Sequence, residues 1–167
     1  MLRDVGLLLA RSAVGLSMSA HGAQKAFGLF GGPGPKGAAD FMGSLGFTPP
    51  ERYGALASYN EIVSGVLCTL GLGGPLGPGI IIAQMIVAMT TVHAKKGFFS
   101  QDGGVETGVI YGAAALALAM SGYGRYSLDR RFQIDALEDD RLITAVVLGA
   151  AGAGIAALRE RKPGNNA

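Results

Sequence analysis

The sequence predicts an all-α integral membrane protein, a four-helix bundle followed by a fifth, C-terminal transmembrane helix. Three observations predict it. The chain is 49% hydrophobic and only 16% charged, with a mean hydropathy of +0.36, whereas a soluble domain is about a quarter charged. Many of its 28 glycines lie inside apolar runs, where they suit closely packed membrane helices and would weaken soluble ones. Five apolar runs, near 4–23, 52–72, 76–95, 104–122 and 141–159, are separated by turn-forming or charged segments, and about 20 residues of helix cross a bilayer.

Composition also excludes classes of function. A net charge of +2 is too small for a nucleic-acid binder. With a single cysteine, Cys68, there is no internal disulfide and no CxxC thiol relay. Trp is absent, so Tyr, Phe, Lys and Arg must anchor the helix ends at the membrane interface.

The first run, Leu2–Lys25, organises the rest. It carries Arg11 near its middle and His21 and Lys25 at its far end. A charged side chain at bilayer depth costs about 2.5–3.5 kcal/mol or more, so other helices must supply partners. Arg11, Gly15, Met18, Gly22 and Lys25 fall on one helical stripe, and its two glycines admit a second helix at close range. Asp4 and Arg11 break the pattern of a cleaved signal peptide, and the segment reads as a retained transmembrane helix.

Next comes a long connection, Ala26–Pro50, with a turn-rich break at 31–35. Within it, Lys36–Leu45 forms an amphipathic helix, with Ala38, Phe41, Met42 and Leu45 on one side and Lys36, Asp40 and Ser44 on the other. It reads as an interfacial helix or a lid over the end of the bundle. Thr48-Pro49-Pro50-Glu51 is a start signal for the second helix, Thr48 as cap, Pro49 in the first helical position and Glu51 closing a capping box. In that helix Glu61, Ser64, Gly65 and Cys68 share a small, polar face suited to the bundle interior. Cys68 there is a packing residue rather than a nucleophile.

The uncharged turn at 71–78 holds no phosphate-loop or dinucleotide fingerprint despite its glycines. Helix three follows from Leu76 and ends in His93, Lys95 and Lys96 before Gly97, a stop, and Phe98-Phe99, an interface anchor. Helix four has Glu106 in its first turn and ends at Gly122. A charged stretch leads to Leu142–Leu158, whose 17 residues span about 25 Å, at the short edge for a crossing. The tail from Glu160 reads as loosely ordered.

Helices that alternate in direction bring His21, Lys25, Glu61, His93 and Glu106 to one membrane face, with Arg11 about 15 Å of helix rise below His21. Three readings compete for this group. One is an ion-pair network that fixes packing. In it Arg11 or Lys25 would pair with Glu61 or Glu106, Arg11 being held by Glu61 first, by Glu106 second, and by backbone carbonyls of a neighbouring helix third. Another is a quinone site, since a quinone head group needs hydrogen-bonding and proton-carrying groups inside an apolar pocket near one membrane face. The third is bis-histidine haem ligation by His21 and His93, which has no further haem signature behind it. No ligand pair has metal-site spacing. Lysines and arginines are balanced between the two sides, so charge does not set the orientation.

These motifs resemble the DoxX family of bacterial membrane proteins. The resemblance is carried by Arg11 and His21-Gly22-x-x-Lys25 in the first helix, Glu61 and Leu70-Gly71-Leu72 in the second, and His93 before Gly97-Phe98-Phe99 in the third. Glu106 and the stretch Gly122-x-Gly124-x-Tyr126-Ser127-Leu128-Asp129 strengthen it. It covers about 2–129, so the expected organisation is a four-helix domain (1–129), a charged linker (130–140), the fifth transmembrane helix (141–159) and a tail (160–167). The resemblance implies a multi-pass protein of the bacterial plasma membrane, in contact with lipid and with protein partners in a membrane complex. It also implies a redox setting, because the family includes a small subunit of a thiosulfate:quinone oxidoreductase. The expected function is a small, quinone-linked subunit of a membrane oxidoreductase assembly. A structural anchor with no chemistry of its own is the competing class, and a transporter is a third. If the chain is catalytic, quinone-linked oxidoreduction is the reaction class.

Overall fold

Among the described residues, apolar periodicity and local stop signals set seven α-helices in order. A computed structural model describes residues 1–162, and no strand occurs among the described residues. The long helices are α1 (Leu2–Phe27), α3 (Pro50–Leu70), α4 (Leu76–Ala88), α5 (Glu106–Ser121) and α7 (Asp140–Arg159). They lie where the apolar runs place them, with ends shifted by a few residues, the usual uncertainty of helix boundaries. α4 continues through a π turn, Met89–His93, and a 3₁₀ turn, Ala94–Lys96. The all-α class therefore holds. α4 with its continuation, and α7, are long and apolar enough to cross a membrane.

α1 and α3 form the central antiparallel pair. A Cβ added to Gly15 would lie 2.5 Å from the Gly65 carbonyl oxygen, and one added to Gly22 would lie 2.6 Å from the Ser58 carbonyl oxygen. Only glycine permits that approach, and backbone-to-backbone contact of this kind is what small residues supply between membrane helices. Of the predicted stripe, Arg11, Gly15, Met18 and Gly22 are buried, and Ala26 joins them where Lys25 was expected. α4 folds back along α3, and Gln84 of α4 donates to the Ala57 carbonyl of α3. α5 returns antiparallel to α4, with Gly108 against Met89. α7 then runs parallel to α4, with Gly79 against Val146 and Gly154 against Ala83. The buried centre is formed by Met18, Cys68, Ile81, Ala115 and Tyr123, and Cys68 is there as a packing residue.

One start differs from expectation. α3 begins at Pro50 with Pro49 as its cap residue, and Thr48 makes no capping bond. Pro50 is tolerated because the first helical N–H has no partner within the helix. α7 is capped by Asp139, whose side chain accepts from the amides of Arg141 (2.9 Å) and Leu142 (3.1 Å). The charged stretch before it also holds a short helix, α6 (Leu128–Arg131), capped by Ser127.

α2 (Gly34–Ser44) sits at the end where α1 finishes and α3 begins, with Ala38 and Ala39 buried against Gly54. Lys36, Asp40 and Ser44 face out, as the amphipathic pattern requires. The start of the tail is tied down, contrary to the expectation of loose order. Tyr53 bonds Glu160, Arg161 Nε donates to the Leu45 carbonyl at 2.7 Å, and the Lys162 amide donates to the Gly46 carbonyl at 2.8 Å. The expectation for 163–167 falls outside the described residues.

The outer faces of the long helices are apolar. Leu9 and Leu16 of α1, Val63 and Val66 of α3, Ile110 and Leu116 of α5, and Leu148 and Ile155 of α7 are all exposed. A monomeric soluble protein rarely presents so continuous an apolar surface.

Candidate functional site

The predicted polar group divides into three places. Arg11 is 2% exposed, yet it meets neither Glu61 nor Glu106. Its guanidinium donates to the carbonyls of Cys68 (3.3 Å) and Thr69 on the last turn of α3, and to Tyr126 (2.8 Å). Carbonyls of a last helical turn lack intrahelical donors and sit at the negative end of the helix dipole, so a cation is well placed there. The expected Arg11–Glu61 pair is therefore corrected to backbone capture.

The residues around Arg11 explain the 122–129 motif. Asp129 accepts from the amides of Gly73 (2.8 Å) and Gly74 (2.7 Å), and its own amide donates to the Gly71 carbonyl at 3.0 Å. Ser127 Oγ donates to the Gly124 carbonyl at 2.8 Å. The Tyr123 hydroxyl lies 3.8 Å from Cys68 Sγ, and burial raises the phenol pKa. Gly71 has φ +63°, and a Cβ there would lie 3.0 Å from the Arg11 guanidinium. The motif is thus a clasp that locks the α3–α4 turn over Arg11. A second cavity of about 730 Å³ lies at this end, lined by charges of both signs, among them Arg3, Asp4, Arg125 and Glu138.

At the opposite end the remaining residues spread out. His93 Nδ1 bonds the Gly103 carbonyl at 2.6 Å, and Glu106 accepts from the Ser100 amide at 2.8 Å. Both tie down the 97–106 connection. His21 is exposed, and neither histidine lines the cavity of about 730 Å³ or the one between α3, α4 and α7. Among the described residues no three of His, Cys, Asp or Glu converge to hold a metal.

Lys25 and Glu61 do come together. Lys25 Nζ pairs with Glu61 Oε1, the Glu61 side chain 9% exposed and that of Lys25 33% exposed. Both line a cavity of about 620 Å³ between α3, α4 and α7, to which Phe41 and Met42 of α2 and Phe47 also contribute. The walls are Leu56, Ile80, Ala83, Ala150 and Ala153, with Asn60 and Gln84 the further polar groups. The space exists because α4 and α7 meet through Gly79 and Gly154, with alanines between them facing inward. Glu61 Oε2 and Gln84 Oε1 are buried without a hydrogen-bond partner. An apolar cavity with a few converging polar groups is the usual form of a small-molecule site. Gln84 was not foreseen, although a lone amide in the apolar run of α4 was a readable signal.

A family model described as DoxX matches residues 6–94, just over half of the chain. The chain belongs to the DoxX family. The matched DoxX segment carries Arg11, Lys25, Glu61, Gln84 and His93, and so holds both the Arg11 anchor on α1 and α3 and the polar side of the cavity. α5, the 122–129 clasp and α7 lie beyond it. As a DoxX protein the chain is a membrane protein, in keeping with its two spanning-length apolar helices. No curated protein and no solved structure matches the chain.

Proposed function

We propose that this DoxX protein is a small, multi-pass subunit of a membrane oxidoreductase assembly in the bacterial plasma membrane, and that it holds a quinone. α1, α3, α4, α5 and α7 would all cross the bilayer, their exposed apolar faces against lipid. The observation that carries the reading is the cavity of about 620 Å³, apolar on its walls and supplied at one end with Lys25, Glu61, Gln84 and Asn60. A quinone is the redox cofactor whose body is apolar and whose head group needs such a polar end. Glu61 and Gln84 would hold the head group, and the alanine-lined walls from α4 and α7 would take the ring and the start of the tail. Lys25 would keep Glu61 oriented. When bound, the quinone supplies two-electron redox chemistry, and a partner protein supplies its electrons.

The test is quinone retention by the purified chain. Expressed in a bacterial membrane and extracted in mild detergent, the protein is expected to carry quinone at close to one per chain. Ala153→Phe, which fills the cavity from α7, should abolish retention without unfolding the bundle. An empty wild-type protein would sink the proposal.

A structural anchor is the second reading, favoured by the outer face of α7. There Gly152 has open space around it, and Leu148 and Ile155 are exposed beside it. A smooth face of this kind suits a partner helix. Co-purification of a partner that is lost on Gly152→Leu, with no quinone present, would favour it.

A further inference from the structure

Two side chains that line the cavity each bury an unpartnered atom, and the two atoms are of one kind. Glu61 Oε2 and Gln84 Oε1 are both acceptors. The amide donor of Gln84 is already used by the Ala57 carbonyl at 3.1 Å. In a helix that same carbonyl accepts from the amide of Glu61, four residues on, so the Gln84 head group meets α3 at the turn that carries Glu61. Two acceptors without donors in an apolar setting are a standing cost to the protein. A ligand that brings hydroxyl donors removes it, whereas one that brings carbonyl oxygens sets acceptor against acceptor.

We infer that the cavity selects the reduced, dihydroxy form of a quinone, with Glu61 Oε2 and Gln84 Oε1 accepting its hydroxyl hydrogens. The inference rests on the quinone-linked reading and adds to it the redox form and the two residues that choose it. The oxidised form shares the ring and tail but has no donor to offer either oxygen. Discrimination of this kind is strong because the mismatched ligand leaves buried polar atoms unpaired.

The experiment uses the full chain in nanodiscs of phosphatidylethanolamine and phosphatidylglycerol. Three probes share one decyl tail: a benzoquinone, its quinol kept reduced under anaerobic conditions, and the dimethyl ether of that quinol. Binding is read by equilibrium dialysis. The quinol is expected to bind at least about tenfold more tightly than the other two, the value of one hydrogen bond to a charged acceptor. Glu61→Gln brings an N–H donor to the same place and should bring quinol and quinone within about twofold. Gln84→Leu removes the second acceptor and should weaken the quinol alone, which keeps the inference testable where Glu61→Gln does not accumulate. Equal wild-type affinities for quinol and quinone, or an unchanged ratio in both variants, would overturn the selectivity while leaving the quinone reading intact. Failure of every probe to bind would overturn both.

Discussion

Lys25 Nζ pairs with Glu61 Oε1, while Glu61 Oε2, equally buried, has no partner. One carboxylate oxygen is thus paired by the protein, and the other is buried with nothing to pair it. Side chains on a helix lean towards its N-terminus. In the antiparallel α1–α3 pair Lys25 therefore leans back towards Gly22 and Glu61 towards Ser58, which face each other.

The pair should show thermodynamic coupling. Lys25→Met strands a buried carboxylate, and because Lys25 is one-third exposed its loss is expected to cost about 1–3 kcal/mol rather than the full value of a buried pair. Lys25→Met combined with Glu61→Gln should recover most of the loss. Unfolding in mixed detergent micelles measures all four corners of the cycle, and strict additivity would remove the ion pair as a stabilising contact.

Arg11 should behave as an independent site. Arg11→Met removes the guanidinium donor from the Thr69 and Tyr126 carbonyls and leaves Cys68 with the Gly71 amide alone, at an expected cost of about 3 kcal/mol. Arg11→Lys should rescue only part of this, because one ammonium cannot reproduce a planar fork that bonds in two directions. In a cycle with Glu61→Gln the losses should add, and coupling above about 0.5 kcal/mol would contradict the observed separation of the two residues.

Glycines of identical chemistry should respond in opposite ways. Gly15→Ala and Gly65→Ala each drive a methyl group into the facing backbone and are expected to lose about 3 kcal/mol or fail to assemble, since backbone cannot yield as a side chain can. Gly149→Ala and Gly152→Ala meet nothing within 4 Å and should be neutral or gain up to about 1 kcal/mol of helix propensity. Thermal inactivation of the four proteins side by side checks this. A loss at Gly152 comparable with that at Gly65 would mean that α7 packs against a partner.

The clasp over Arg11 depends on one carboxylate. Asp129→Asn keeps the shape but cannot offer two charged acceptors to the amides of Gly73 and Gly74, and is expected to cost about 1–3 kcal/mol. Hydrogen exchange should speed up at those two amides specifically. Unchanged protection there would show that the turn holds itself.

Topology gives the last prediction. α1 and α7 run in the same direction through the bundle, so five crossings put the two chain ends on opposite sides of the membrane. Reporter fusions before Met1 and after Ala167 should report different compartments. Agreement between them would mean that one of the five helices does not span.

The sequence by itself determined the helices, their order and the face of α1 that is buried. Those follow from apolar periodicity and from stops such as Gly97 and Gly122, which act within a few residues. It also singled out the 122–129 stretch, without saying what the stretch holds. Only the tertiary structure decided the partners. Gly15 faces Gly65 and Gly22 faces Ser58, a register that sets Arg11 level with Thr69, two turns beyond Glu61. A buried charge is satisfied by whatever acceptor that register brings, backbone included, and helical periodicity carries no information about register between helices. The cavity was hidden for the same reason. It is made of alanines and glycines on α3, α4 and α7 that look like ordinary packing residues until three helices leave a space among them, with Glu61 and Gln84 at its polar end.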